Sequence, residues 1–368
     1  RIMKVLIMNP ILYTAETDQI PKVESIRDTM TYTLCMGFVK NGDIPTLVAA
    51  DCYRPVKPEE YPFAVKWFPC QIPKICKPGC IPMLKGLGKY LKKHGTEFDY
   101  IISSEVFSLV TLEGALYARK RLIIWHELGA HNRMCHKIPS RIWYNIVGRF
   151  IFHGIPVIPR SEKAAKFISR YCDHVLPVII DHGIDLDKIP YAENKENYFV
   201  VVSQLIERKH IDLIIDRFAA FTRGDYKDYE LKIIGDGVLK EALQIQAEQL
   251  GKEKNIQFRG KLDHNRLMPV LAGAKALLIY TSKDNSMVSI VESIAAGTPV
   301  ITTSVPFNVP YILKNQLGIV KDQWGKEELE EICRNNAFYV ENCISYRKKL
   351  DHVYLAGMFD NIGSSETE

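Results

Sequence analysis

No run in the sequence reaches the roughly 18 apolar residues that a membrane-crossing helix needs, so a helical span is excluded. The opening "RIMKVLIMNP" is too short for a secretory leader and has no cleavage site. Short-period repeats and low-complexity tracts are missing too, which excludes solenoids and linker-like chains. The nine cysteines lack framework spacing, so they read as free thiols of a reducing cytoplasm. Cys70, Cys76 and Cys80 form C-x5-C-x3-C, which is no standard zinc spacing.

What is there is a chain of 368 residues, 47% hydrophobic and 25% charged. That is too long for one core of usual size, so two domains are expected. The net charge of +5 is uneven. Residues 1–200 hold 27 Lys and Arg against 20 Asp and Glu, while 201–368 hold 21 against 23. The excess is densest in 54–149, with 16 basic and 7 acidic residues. Such an asymmetry suits contact with a membrane surface or polyanion, or else a solvated basic face.

Short continuous apolar runs alternate with helical patterns along the chain. Strands are expected at Val5–Asn9, "PTLVAA", "YIISS", "LIIWH" and "PVIPRS", with helices at Ile26–Lys40, Met83–His94, Leu109–Arg119 and Ser140–Phe152. Residues 54–82 show no period and read as an irregular insertion. Periodicity fades near 180–196, then the alternation restarts with "YFVVVSQ", "ELKIIGDG", "IQFRG" and "ALLIYTS" as strands. Two such series predict an α/β protein of two doubly wound, Rossmann-like domains facing a central cleft. The domains are placed at 3–180 and 197–345 with a linker at 181–196. A last helix, about 346–360, returns to the first domain, and "SSETE" reads as a disordered tail.

The stretch "IYTSKDNSMVSIVESIAAGTPVITT" carries two acids eight residues apart, Asp284 and Glu292. Val288–Ala296 reads as a helix stopped by Gly297, with Val288, Val291, Ile294 and Ala295 on its buried side. The turn before it lies at the carboxyl end of a strand. N–H groups of Ser286, Met287 and Val288 there make an anion site suited to a diphosphate. Glu292 is an acceptor for vicinal hydroxyls, as on a ribose. Taken alone, Asp284 reads as a turn residue and Glu292 as a surface helical acid.

This stretch resembles the acid-x7-acid motif of retaining glycosyltransferases of the GT-B fold, family 4. The usual first Glu is Asp284 here, and the usual Gly is Asn285. "VSQLIERKHIDLII" resembles the family's Gly-Arg-Leu and Lys-Gly segment, which puts Lys209 on the lysine that binds donor diphosphate and Gln204 in place of the arginine. "LKIIGDG" matches the Gly turn at Gly235 and Gly237. "IQFRGKL" matches the segment whose backbone reads the nucleobase, at Arg259, Lys261 and Leu262. The rival dinucleotide fingerprint fails, because Lys240 stands where the third Gly belongs.

In the first half, "IIWHELGAH" puts His126 on the family's strand-end His that contacts the transferred sugar, and "VIPRSEKAAKFI" makes Arg160 and Ser161 acceptor-side candidates. Asp185-Leu-Asp187 belongs to the resembling linker motif, so no metal is assigned. The family's Gly-Gly turn after the first strand is absent from "NPILYTAETDQIPKVES".

The resemblance implies a retaining, metal-independent hexosyltransferase without a cofactor. It would move a sugar from a UDP- or GDP-sugar to a glycan or lipid-linked acceptor in bacterial surface polysaccharide synthesis, with His126, Lys209 and Asp284 catalytic and no nucleic-acid partner. Alternatives are a nucleotide-sugar epimerase of the same fold and a non-catalytic partner subunit. The lysine-rich, aromatic-bearing stretch 66–93, with Lys66, Lys74, Lys77, Lys85, Lys89, Lys92 and Lys93, suggests peripheral contact with an anionic membrane at the cytoplasmic face.

Overall fold

"KVLIM" is apolar at every position after its lysine, which suits a strand covered on both faces. It forms β1 (Lys4–Met8), and its last four side chains are buried. In the computed structural model, which describes residues 1–13, 23–70, 82–130 and 132–367, the chain divides into two units. Residues 1–185 and 351–368 make the first, and 186–350 the second.

In the first unit β1 leads to α1 (Met30–Asn41). The Thr29 side chain accepts from the Tyr32 N–H at its start, and left-handed Gly42 ends it. There follow β2 (Ile44–Ala50), β3 (Ala64–Phe68), α2 (Leu87–His94), β4 (Tyr100–Ser104), α3 (Leu109–Tyr117) and β5 (Leu122–His126). Next, α4 (Ile138–Trp143) runs directly into a π-helical segment, Tyr144–Ile151, before β6 (Val157–Pro159) and α5 (Glu162–Ile168). The sheet is wholly parallel, in the order β3-β2-β1-β4-β5-β6.

The second unit repeats the pattern: β7 (Tyr198–Val202), α6 (Ile211–Phe221), β8 (Glu230–Ile234), α7 (Lys240–Gln249), β9 (Ile256–Gly260), α8 (His264–Gly273), β10 (Leu277–Leu278), α9 (Val288–Ala295), β11 (Val300–Thr302), α10 (Val309–Asn315), β12 (Gly318–Val320), α11 (Lys326–Arg334) and α12 (Asn336–Tyr346). Its parallel sheet runs β12-β11-β10-β7-β8-β9. In both sheets the first strand lies beside the fourth, so each has a switch point where the connections part to opposite sides and a crevice opens at the carboxyl ends.

The chain then returns to the first unit. α13 (His352–Glu366) packs on α1, and its Asp360 accepts from the Tyr100 hydroxyl at 2.7 Å. This helix starts later than the expected 346–360 because Tyr346 still closes α12 and Arg347–Leu350 forms a tight turn. The helix also takes in the expected disordered tail as far as Glu366.

The expected linker, 181–196, is anchored near its end. Lys195 donates to the carbonyl of Ala272 at 2.6 Å and to Thr298 Oγ1 at 3.0 Å, pinning that stretch to the second unit. Burial lowers the Lys195 ammonium to about 8.

Three further expectations are corrected. Residues 54–82 are not wholly irregular, since β3 extends the first sheet beside β2. Its pattern was hard to read because only part of each face is buried. Leu84, Leu87 and Leu91 all lie in the hydrophobic core. The helix at 87–94 therefore turns its apolar side inward and its lysines to solvent, so Leu84, Leu87 and Leu91 offer no docking face. Lys74, Lys77, Cys76 and Cys80 lie outside the described residues. Cys70 is disulfide-bonded rather than free, while Cys35, Cys135, Cys172, Cys333 and Cys343 are free thiols.

Candidate functional site

At the switch point of the second sheet, the loop after β7 lies directly on the loop after β8. Ser203 N–H donates to Ile234 O at 3.0 Å, and Leu205 N–H to Asp236 O at 2.9 Å. A Cβ on Gly235 would sit 1.7 Å from Ser203 O, and one on Gly237 2.4 Å from Leu205 O. Gly235 also has φ +140°. Backbone proximity, then, is what demands these two glycines.

That packing leads into the tight turn Glu207–Lys209. Lys209 Nζ donates to Asp284 Oδ2 at 2.7 Å and Arg208 Nη1 to Asp284 Oδ1 at 3.0 Å. Thr281 Oγ1 donates to Asp284 Oδ2 at 2.5 Å. The Lys209 and Asp284 side chains are only 10% and 14% exposed, so solvent screens this pair weakly. Two cations and a hydroxyl thus converge on one carboxylate. Arg208 and Thr281 escaped the sequence reading. Arg208 had only its place beside Lys209 as a signal, and Thr281 none.

Glu292 follows in α9. Its Oε1 lies 3.3 Å from Nε2 of His264, at the start of α8. Burial pushes the Glu292 carboxyl up from its ordinary value, and the facing His264 pulls the other way. His264 is a neighbour that only the tertiary structure reveals.

The start of α9 differs from the expected trio of free donors. Met287 N–H donates to Asn308 Oδ1 at 2.8 Å, so that group is already occupied. An anion there would draw on the remaining first-turn N–H groups, which helix geometry leaves without intrahelical acceptors. Val288 is exposed rather than buried, and Ile290 joins Val291, Ile294 and Ala295 inside. Val288, as first residue of the helix, projects before the turn that packs on the sheet. Gln204, Arg259 and Lys261 are exposed, and Leu262 is half-buried. Arg259 makes a 3.4 Å contact to Gln257 Oε1.

In the first unit, a cavity of about 380 Å³ opens at the carboxyl ends of β1, β4, β5 and β6. Its walls include Asn9, Leu12, Glu105, Trp125, Glu127 and Arg160. The Arg160 guanidinium lies 4.1 Å from the centre of a Trp125 ring, with Nη1 3.2 Å from Glu127 Oε2. Arg160 also contacts the His182 ring. Burial and this neighbouring charge push the His182 imidazole well below its ordinary value, so it is neutral at pH 7.

His126 does not line this cavity. Its ring is wholly buried, stacked 6.3 Å from Phe167. Adjacent strand residues face opposite sides of a sheet, and here Trp125 takes the cavity side. His126 Nδ1 lies 3.0 Å from Glu105 Oε2. Its other ring nitrogen has no hydrogen-bond partner among the described residues.

Glu105 ties this corner together. It accepts from the Glu127 N–H at 2.8 Å and holds a left-handed φ of 72°, a costly conformation for a side-chain-bearing residue. Burial pushes its carboxyl up, but His126, the Glu127 N–H and Arg160 outweigh that and hold it below its ordinary value. In this structure the buried His126 ring stands behind Glu105 rather than on the cavity wall. Ser161 has a local structural task. It is buried, and its hydroxyl caps α5 by accepting from the Ala164 N–H at 3.0 Å.

Residues 185–334 match the family model described as glycosyl transferases group 1. The likeness to this family is thus carried by the second unit. Those residues hold the whole Lys209–Asp284–Glu292 arrangement. Among curated proteins, the chain is similar to the alpha-monoglucosyldiacylglycerol synthase of Streptococcus pneumoniae, at 25% identity over 46% of this chain and 42% of that one. It is also similar to the lipopolysaccharide glucosyltransferase WaaG of Escherichia coli, at 27% over 39% and 37%. The chain therefore spans less than half the length of these relatives. A solved structure of HepE from Anabaena, in complex with UDP, matches 99% of this chain and 100% of that chain with a TM-score of 0.65 at 15% identity. The two parallel six-stranded sheets are those of the GT-B fold.

Proposed function

We propose that the protein is a retaining hexosyltransferase of family 4 that moves a sugar from a nucleotide diphosphate sugar, UDP- or GDP-linked, to a glycan or lipid-linked acceptor. The observation that carries the reading is the pairing of Lys209 with Asp284 at the switch point, one short loop ahead of α9 and Glu292. Lys209 and Arg208 supply positive charge where a leaving diphosphate gains negative charge, which is where stabilisation speeds a transfer. Asp284 is a hydroxyl acceptor for the sugar, and Glu292 one for the ribose. Gly235 and Gly237 keep the phosphate side open, Gln204 donates an uncharged hydrogen bond, and the Arg259–Leu262 backbone faces the base. Attack by the acceptor hydroxyl comes on the face the diphosphate leaves, and a donor phosphate oxygen takes the proton.

The cavity walled by Trp125, Glu127 and Arg160 is the acceptor side. The relatives support such an acceptor, one being named for a diacylglycerol lipid and one for lipopolysaccharide. Cell-surface glycolipid or polysaccharide synthesis at the cytoplasmic face of the membrane is the corresponding role. The test is isothermal titration with UDP and GDP, then turnover with a panel of donor sugars. Binding of neither nucleotide would overturn the reading. A rate abolished by EDTA would overturn its metal-independent form, and donor consumed to free sugar or epimer without acceptor would favour an epimerase.

A further inference from the structure

Helix 138–151 sorts its residues into lanes four apart. Ile138, Ile142, Ile146 and Phe150 are all exposed, from 54% to 74%. One residue earlier in each turn stand Lys137, Arg141, Asn145 and Arg149, exposed as well. The opposite lane, Ser140, Tyr144, Gly148 and Phe152, is buried. A spacing of four slightly overshoots the α-helical turn of about 3.6 residues and falls short of the wider π turn. The change from α4 to the π segment after Trp143 therefore straightens a stripe that would otherwise wind around the helix.

This apolar lane cannot be hidden by rolling the helix. Tyr144 stacks against Tyr171 and meets Phe167 edge-on, each at 5.2 Å. Trp143 Nε1 donates to Val106 O at 2.7 Å. Arg119 Nη1 donates to Ile151 O at 2.6 Å and ties down the carboxyl end. Four large apolar side chains are thus held in solvent in a row, where single exposed ones would need no explanation.

Charge says what covers them. From residue 128 to residue 161 the sequence holds no Asp or Glu, while Arg133, Lys137, Arg141, Arg149 and Arg160 fall inside that span. No ion pair joins Lys137, Arg141 or Arg149 to another described residue. We propose that helix 138–151 lies flat on an anionic lipid surface, with Ile138, Ile142, Ile146 and Phe150 among the acyl chains and Lys137, Arg141 and Arg149 at the headgroups. A row of apolar residues beside a row of cations is the pattern of an interfacial helix. A second copy suits it less, because a two-fold contact sets a patch against itself and would crowd the cationic lanes together. The proposal does not rest on the sugar-transfer reading.

The experiment is sedimentation of the full chain with vesicles of phosphatidylcholine alone or mixed with phosphatidylglycerol, at low and high salt. The expected result is binding to the phosphatidylglycerol vesicles at low salt, weakened by salt. Phe150→Ser and Ile142→Ser together lower the partition coefficient by about tenfold or more, and Arg141→Gln by roughly fivefold. All three residues are exposed, so the circular dichroism spectrum and melting point should not move. Lys89→Gln and Lys92→Gln on α2 should change binding much less than the helix 138–151 substitutions. Absence of binding at low salt would overturn the proposal, as would undiminished binding by the Phe150→Ser, Ile142→Ser variant or loss of binding by the α2 variant. Self-association abolished by the same apolar substitutions, without vesicle binding, would make the face a protein interface and overturn it too.

Discussion

Replacing Asp284 by Ala removes the carboxylate on which Lys209, Arg208 and Thr281 converge. Lys209 is nearly buried, so its charge is left poorly solvated, whereas Arg208 is about one-third exposed and recovers water. Breaking a buried pair from one side costs roughly 3–5 kcal/mol, and the partial exposure of Arg208 argues for the lower end, about 3 kcal/mol. For a unit of this size that corresponds to a fall in melting temperature of about 6–12 °C. The same change should have the opposite sign on nucleotide binding. In the wild type Asp284 competes with any diphosphate for these two cations. Without it, UDP should bind about tenfold more tightly, a gain of about 1.4 kcal/mol, and should restore more of the melting temperature than it adds to the wild type. Turnover of the donor sugar should nevertheless fall, since the sugar-side acceptor is gone. Differential scanning fluorimetry and calorimetric titration with UDP measure both signs. Unchanged stability, or weaker UDP binding in the variant, would refute the reasoning.

Glu292→Ala should weaken nucleotide binding by about 1.5–3 kcal/mol through loss of a charge-assisted hydrogen bond, and equal titration curves for both proteins would sink its ribose role. Gly235→Ala would push a Cβ into Ser203 O. It should cost about 3 kcal/mol or more, visible as a lowered melting temperature, and an unchanged one would show that the loop can yield. Arg160→Ala should raise the KM for acceptor with little effect on that for donor, and the reverse pattern would move the acceptor elsewhere. Burial, chiefly, and the nearby Asp43 raise the Asp360 carboxyl to about 7, so the folded state favours its protonated form. That stability is full below an unfolded carboxylate value of about 3.9 and is lost as pH rises through 7. Asp360→Asn should therefore stabilise the fold by about 1–2 kcal/mol at pH 8, after discounting for solvent screening, and not at pH 4. Urea melts at the two pH values giving equal gains would contradict this.

The sequence by itself determined the repeat of strand and helix, because a strand covered on both faces must be a short apolar run and a helix packed on one side must show a period near 3.6. β1 and β7 were legible in this way, whereas Lys209, Asp284 and Glu292 were singled out only through the resemblance to family motifs. What only the tertiary structure decided is contact across long separations. That Asp284 faces Arg208 and Lys209, 75 residues and more away, depends on β7 and β10 being neighbours. The sheet order makes them so, and no local period records it. The side of β5 on which His126 lies was also beyond the sequence, because a strand buried on both faces has no polar alternation to mark it. The helices at 87–94 and 138–151 both carry apolar and basic residues. Packing buried the leucines of the first and left the isoleucines of the second in solvent. An apolar stripe says that a face is to be covered, and only the surrounding fold says whether the cover is the protein's own core.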